Sequence, residues 1–254
     1  MKSFIALLMF GLYFCPVHAA DLVAIVVGNT LPRENNVGRE HDVMKMIDEL
    51  EKISEYTGLK LDLTLYIHEE YNSKLLTKLE KISVNQDDVL FFYYSGHGYR
   101  ESDKPPEENP WPNIHIDLEK KGIDHKVITE ILQEKGPRLL FSLVNSCNNI
   151  TDEKIELVRR GVSFEKPSSV QENYKKLFLE HSGTIVSSSS IPGQYSYRNP
   201  EKGTLYLEGF LNALHEEVKR EGELSWEAIF LRTIDNVQLM SNNKQIPQYK
   251  ISLK

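Results

Sequence analysis

"FFYYSGHGYR", residues 91–100, runs from an unbroken apolar stretch straight into a histidine held between two glycines. The apolar part, taken upstream to Asp87, reads as a strand buried on both faces, since a half-exposed strand would alternate. Glycines on either side of His97 mean that something must come close to its ring or to the backbone beside it. A matching stretch lies further along: "RLLFSLVNS", 138–146, is a second buried strand, and Cys147 follows it, 147 − 97 = 50 residues after the histidine. Between them, 124–136 reads as a helix with Asp124 as N-cap. A right-handed crossover through that helix makes the two strands parallel. His97 and Cys147 then emerge at the same carboxyl edge, where sites in open α/β sheets gather.

The rest of the chain repeats this alternation. Buried strands are expected at 22–30 and 183–190, an alternating strand at 59–67, and helices at 40–58, 72–82, 203–222 and 224–240. Residues 100–113, with four prolines and several charges, read as a surface loop, Asp87–Asp88 as a strand cap, and the polar stretch 148–173 as a linker within the domain. Strands alternating with helices predict an α/β fold, a mostly parallel central sheet with helices on both faces.

Composition sets bounds on function. The chain has 254 residues, 40% apolar and 26% charged, which fits a globular domain. With 30 basic and 37 acidic residues, net charge −7, and no stripe of Lys or Arg, no nucleic-acid partner is expected. Lys2, the apolar run Phe4–Phe14 and the small residues Ala19 and Ala20 read as a cleaved signal peptide over residues 1–20. The run is too short for a membrane span of about 20 residues. The mature protein, 21–254, is expected in the periplasm or outside the cell, with no membrane attachment after cleavage. Of two cysteines, Cys15 and Cys147, only Cys147 survives that cut, so no internal disulfide forms and the remaining thiol is a candidate for reactivity.

A thiol and an imidazole at one sheet edge have a definite chemistry. A thiol with a pKa of about 8.5 is mostly protonated at neutral pH. A neighbouring histidine takes its proton, then hands one to a leaving amine. The backbone N–H groups of Gly98 and Cys147 are candidate donors to the oxyanion that develops at an attacked carbonyl.

"YYSGHG" followed by "LVNSCNN" resembles the caspase and metacaspase superfamily of cysteine endopeptidases. "SIPGQYSYRNPEKGTLYLEGFLNAL", 190–214, is similar to the caspase segment of a Pro-Gly turn, Ser-aromatic-Arg and a helix, and "KQIPQY", 244–249, to a Gln-x-Pro-Gln element of metacaspase-type proteins. The resemblance implies a caspase-like three-layer sandwich, a catalytic pair His97 and Cys147, and a protein or peptide substrate. It implies a substrate-binding set of Asn145, Ser196, Tyr197 and Arg198. Where metacaspases carry aspartate two residues before the nucleophile, this chain has neutral Asn145, and Arg198 stands where caspases bind aspartate. An arginine in the pocket attracts a carboxylate and repels a cation, so cleavage after an acidic residue is expected. The second arginine of caspases has no clear counterpart: Arg33 and Arg39 lie near the place, with Asn36 at the best-aligned position.

Two other readings stay open: cleavage after Lys or Arg, as in metacaspases, and a catalytically weak or inactive caspase fold that binds rather than cuts. Asn148 and Asn149 depart from the residues usual after the nucleophile. Asn149-Ile150-Thr151 is formally a glycosylation sequon, taken as chance because a glycan there would block catalysis. Tyr195 and Tyr197 either line the pocket or pack beneath its loop. His41, His68, His115, His125, His181 and His215 show no metal-ligand spacing and read as core or surface residues. No cofactor is expected; some metacaspases need calcium, but no ligand cluster here marks a site. The 148–173 linker carries Asp152, Glu153, Glu156, Glu165 and Arg159-Arg160, compatible with cleavage by either specificity. The C-terminal resemblance implies a monomer rather than a caspase-type dimer.

Overall fold

The computed structural model describes residues 19–28, 37–67, 74–115, 122–150, 169–199 and 202–254. Its main sheet has six strands in the order β11-β8-β7-β3-β1-β2. These are β1 (Asp21–Gly28), β2 (Lys60–Ile67), β3 (Val89–Ser95), β7 (Leu139–Asn145), β8 (Gly183–Ser188) and β11 (Gln248–Leu253). The first five run parallel, and only β11 runs antiparallel, against β8. Every residue of β3 and β7 is buried, as their unbroken apolar runs require of central strands.

Helices cover the two faces: α1 (Val37–Thr57), α2 (Leu75–Lys81), α3 (His125–Glu134), α4 (Val170–Leu179), α5 (Leu205–Glu217) and α6 (Trp226–Met240). One core lies between the sheet and α1, α4, α5 and α6, built around Phe91, Phe141, Phe178, Phe210, Trp226 and Phe230. The other lies beneath α2 and α3, with Val23, Ile25, Phe92, Tyr94 and Leu140 from the sheet. Period-2 alternation explains the split: Phe91 and Phe92 are neighbours in sequence and face opposite layers. The fold is the expected caspase-like α/β sandwich.

Two small sheets stand at the edge. β4 (Gly98–Tyr99), β5 (Asn113–His115) and β6 (Gly122–Asp124) form one, and β9 (Arg198–Asn199) with β10 (Gly203–Thr204) the other. Asp124 caps α3 as expected, its side chain accepting from the Lys126 N–H. Asp88 ties the sheet margin, accepting from the N–H groups of Asp21 and Asn85.

Several expectations are corrected. Helix α4 begins at Val170, inside the stretch read as a linker, and β11 was not foreseen as a strand. The loop 100–113 is a surface loop as expected, exposed over most of 101–108, and is tied down from within: Lys104 Nζ reaches Asp124 at 2.9 Å and Arg100 Nη2 donates to the carbonyls of Lys104 and Asn109. The expected signal segment apart from Ala19 and Ala20, His68, residues 72–73 of the second expected helix, and residues 151–168 of the linker lie outside the described residues.

Candidate active site

The register of the central strands builds the site. β3 pairs with β7 so that Ser95 lies opposite Asn145. His97 and Cys147 each stand two residues beyond that last pair, at the carboxyl edge. The two loops then lock together on both sides of the histidine. Gly96 N–H donates to Asn145 O at 3.2 Å. A Cβ on Gly98 would fall 2.6 Å from Ser146 Cβ and 2.8 Å from Cys147 O. The glycine is required there because the backbone of the nucleophile loop lies against it.

His97 is also held from behind. Tyr94 Oη donates to His97 O at 2.6 Å, and the His97 ring lies 5.9 Å from the His115 ring, centroid to centroid. His115 N–H donates to His97 O, which makes Gly98–Ile114 the non-hydrogen-bonded pair of the β4–β5 ladder. The Gly98 N–H therefore points away from β5.

Cys147 is a free, half-buried thiol, and Ser196 N–H donates to its Sγ at 3.4 Å. Ser146, just before it, rests on a serine ladder: Ser189 Oγ accepts from Ser146 N, and Ser189 and Ser190 hydroxyls donate to Ser146 O. With Ser187 Oγ donating to Gln248 O and Ser188 Oγ to Ser190 O, the four fully buried serines 187–190 all have partnered hydroxyls.

Two of the residues expected to bind substrate, Asn145 and Ser196, are bonded to each other. Ser196 Oγ donates to Asn145 Oδ1 at 3.1 Å, and Asn145 Nδ2 donates to Asp42 Oδ2 at 3.1 Å. Arg198, partly exposed, is paired in β9 with Thr204 of β10. Tyr197 is only 5% exposed; its ring packs with Leu205 and Val237, and Tyr195 packs beside it. Burial, then the nearby Tyr195 and Cys147, push the Tyr197 phenol up, so its hydroxyl lies within electrostatic reach of the thiol. Arg33 and Asn36 lie outside the described residues, as does the Arg39 side chain.

Three groups of site residues were not foreseen. Asp42, on α1, is completely buried and accepts from Thr204 N–H and Ser95 Oγ, each at 2.9 Å, besides Asn145. Burial raises its carboxyl to about 6 against the downward pull of those bonds and of Lys45. The available signal was its place beside Val43 on the same helical stripe as Met46 and Leu50, an acid on an apolar face. Gln245 and Gln248, of the Gln-x-Pro-Gln element, brace the site from the segment leading into β11 and from its first residue. Gln245 accepts from Tyr197 N–H at 2.8 Å and donates to Ser189 O, while Gln248 Nε2 donates to Pro110 O, Ser188 Oγ and Ser190 O. The third group is Arg100 with Asn148. Among the described residues no group of His, Cys, Asp and Glu could hold a metal ion, and no helix is long and apolar enough to cross a membrane.

The mostly parallel sandwich thus carries His97 and Cys147 just beyond the ends of the adjacent strands β3 and β7. A family model described as "Caspase domain" matches residues 21–254, and the chain belongs to that family. Among solved structures, caspase-1 from Spodoptera frugiperda is similar at a TM-score of 0.53 and 15% identity, over 92% of this chain and 87% of that one. That likeness speaks for the fold alone. A search of curated protein sequences returned no match.

Proposed function

We propose that the chain is an exported cysteine endopeptidase in which Cys147 attacks the scissile carbonyl and His97 shuttles the proton. The observation that carries this is the Ser95–Asn145 register, with Gly98 packed on Ser146 and Cys147. It brings the two loops to a common edge with the nucleophile accessible. His97 takes the thiol proton as the Cys147 S–C bond forms, and the tetrahedral oxyanion sits toward the N–H groups of Gly98 and Cys147. His97 then protonates the leaving amine, and water releases the acyl group by the same route in reverse. The protein works as a monomer and needs no cofactor for this chemistry.

For the residue before the scissile bond, the chain Ser196–Asn145–Asp42 favours a basic side chain. Each donor in it points inward, Ser196 to Asn145 and Asn145 to Asp42, so the Ser196 oxygen presents lone pairs outward. An acceptor-ended floor above a buried carboxylate suits an ammonium or guanidinium. The second reading, cleavage after aspartate, rests on Arg198, the partly exposed cation beside the same floor. Paired fluorogenic peptides differing only in Arg or Asp before the scissile bond separate the two. Faster turnover of the arginine peptide supports the Asp42 argument, and faster turnover of the aspartate peptide overturns it.

A further inference from the structure

Asn148 stands directly after the nucleophile, where the family pattern differs, and it is 0% exposed with every polar atom engaged. Its Oδ1 accepts from Arg100 Nη1 at 3.3 Å, and its Nδ2 donates to Pro110 O at 2.8 Å and Ser190 O at 3.2 Å. Its N–H donates to Gln194 O at 3.0 Å and its carbonyl accepts from Gly193 N–H at 2.8 Å. One side chain thus joins the nucleophile loop to the serine ladder and to the loop 100–113, while its backbone holds the Pro192–Gly193 turn.

Arg100 stands three residues after His97 and is 5% exposed. Besides Asn148, its Nη2 reaches the carbonyls of Lys104 and Asn109 at 2.7 and 2.8 Å, and its backbone N–H donates to Asn149 O at 3.0 Å. The His97 loop and the Cys147 loop are therefore joined twice through this one residue, by main chain and by side chain. Burying a guanidinium is costly unless its donors are met. Here three acceptors meet it, and all three belong to loops that frame the site. A planar fork can serve these divergent acceptors; a lysine ammonium on a flexible stem would not hold the same geometry.

We propose that Arg100 and Asn148 form a clamp that positions Cys147 against His97. They are positioning residues: neither needs to touch the substrate, and the effect reaches the reaction through the relative placement of the two loops. The proposal rests on the peptidase reading for its effect on turnover, but not for its effect on the thiol. A displacement of about 1 Å between reacting groups costs on the order of a hundredfold in rate.

The test compares Arg100→Lys, Asn148→Ser and the double variant with the wild-type protein, each assayed well below its own melting temperature. Peptide turnover is expected to lose about a hundredfold in kcat in either single variant, with KM moving less than about threefold. The rate of Cys147 carbamidomethylation by iodoacetamide, followed against pH, is expected to shift its midpoint upward from the wild-type value as the thiol loses its alignment with His97. The double variant is expected to fall no further than the worse single one, because both break one clamp. Losses that multiply in the double variant, or an unmoved alkylation midpoint, overturn the proposal. Should Arg100→Lys fail to fold, the same two readouts on Asn148→Ser decide. A wild-type protein that alkylates normally but cuts no peptide refutes the peptidase reading, and the alkylation midpoints still test the clamp.

Discussion

Replacing Asp42 by asparagine should make the stability gap between wild type and variant depend on pH. The wild-type carboxyl is raised from 3.8 to about 6 by burial. In the folded protein it holds its proton more tightly than in the unfolded chain. Its favourable contribution is thus complete below about pH 4 and is lost as pH rises through about 6. At about 1.4 kcal/mol per unit, the displacement is worth about 3 kcal/mol, of which about 2 falls between about pH 4 and about pH 8. A second effect does not depend on pH. Asp42 accepts from Thr204 N–H on one oxygen and from Ser95 and Asn145 on the other. An asparagine amide placed either way turns a donor onto a donor, which costs about 1–3 kcal/mol. Asp42→Asn should therefore be clearly less stable than wild type in mild acid, and the gap should shrink by about 2 kcal/mol toward about pH 8. Urea unfolding of both proteins across that range measures it, since other titrating groups cancel in the difference. A gap that stays constant or widens with pH would refute the reasoning.

Gly98→Ala should lower kcat/KM by roughly ten- to a hundredfold, because the added carbon meets Ser146 Cβ and Cys147 O; steady-state kinetics on the best peptide checks it. Gln245→Ala should leave Tyr197 N–H and Ser189 O without their partners. Each lost partner costs about 1–3 kcal/mol, and thermal melting together with kcat/KM should both decline. His125 is fully buried, bonded to Ser142 Oγ, and burial pulls its pKa down to about 3. The unfolded chain takes up that proton near pH 6.5, so stability should fall as pH drops from about 6.5 toward about 3. A His125→Gln variant should show a flatter acid limb in the same urea experiment, and an unchanged limb would remove His125 as its cause.

The central strands, and the placing of His97 and Cys147 at one sheet edge, were legible because their signals are local. An unbroken apolar run followed by Gly-His-Gly or by a cysteine carries its own reading, and crossover handedness brings the two ends together. Asp42 was hidden because it lies 103 residues from Asn145, its hydrogen-bond partner. No periodicity within α1 says that an acid will find donors on β3, β7 and β10. The same holds for Gln245, which reaches Tyr197 across 48 residues. The loop 100–113 is exposed as its prolines and charges indicate, but the inward turn of Arg100 and Lys104 was hidden, because only the folded surroundings supply their acceptors. Helix α4 was missed because its first turns are mostly polar and follow a polar stretch; Tyr174, Leu177 and Phe178 form its buried face against the first core.

The most direct test of the dyad is a cleavage profile on a mixed peptide library, with and without calcium, using the wild-type protein, Cys147→Ala and His97→Ala. Cutting by the wild-type protein that disappears in both variants, while their melting curves stay close to wild type, is the result the account predicts. Cutting that persists in either variant, or a folded wild-type protein that cuts nothing even after the 148–173 segment is nicked, would contradict it.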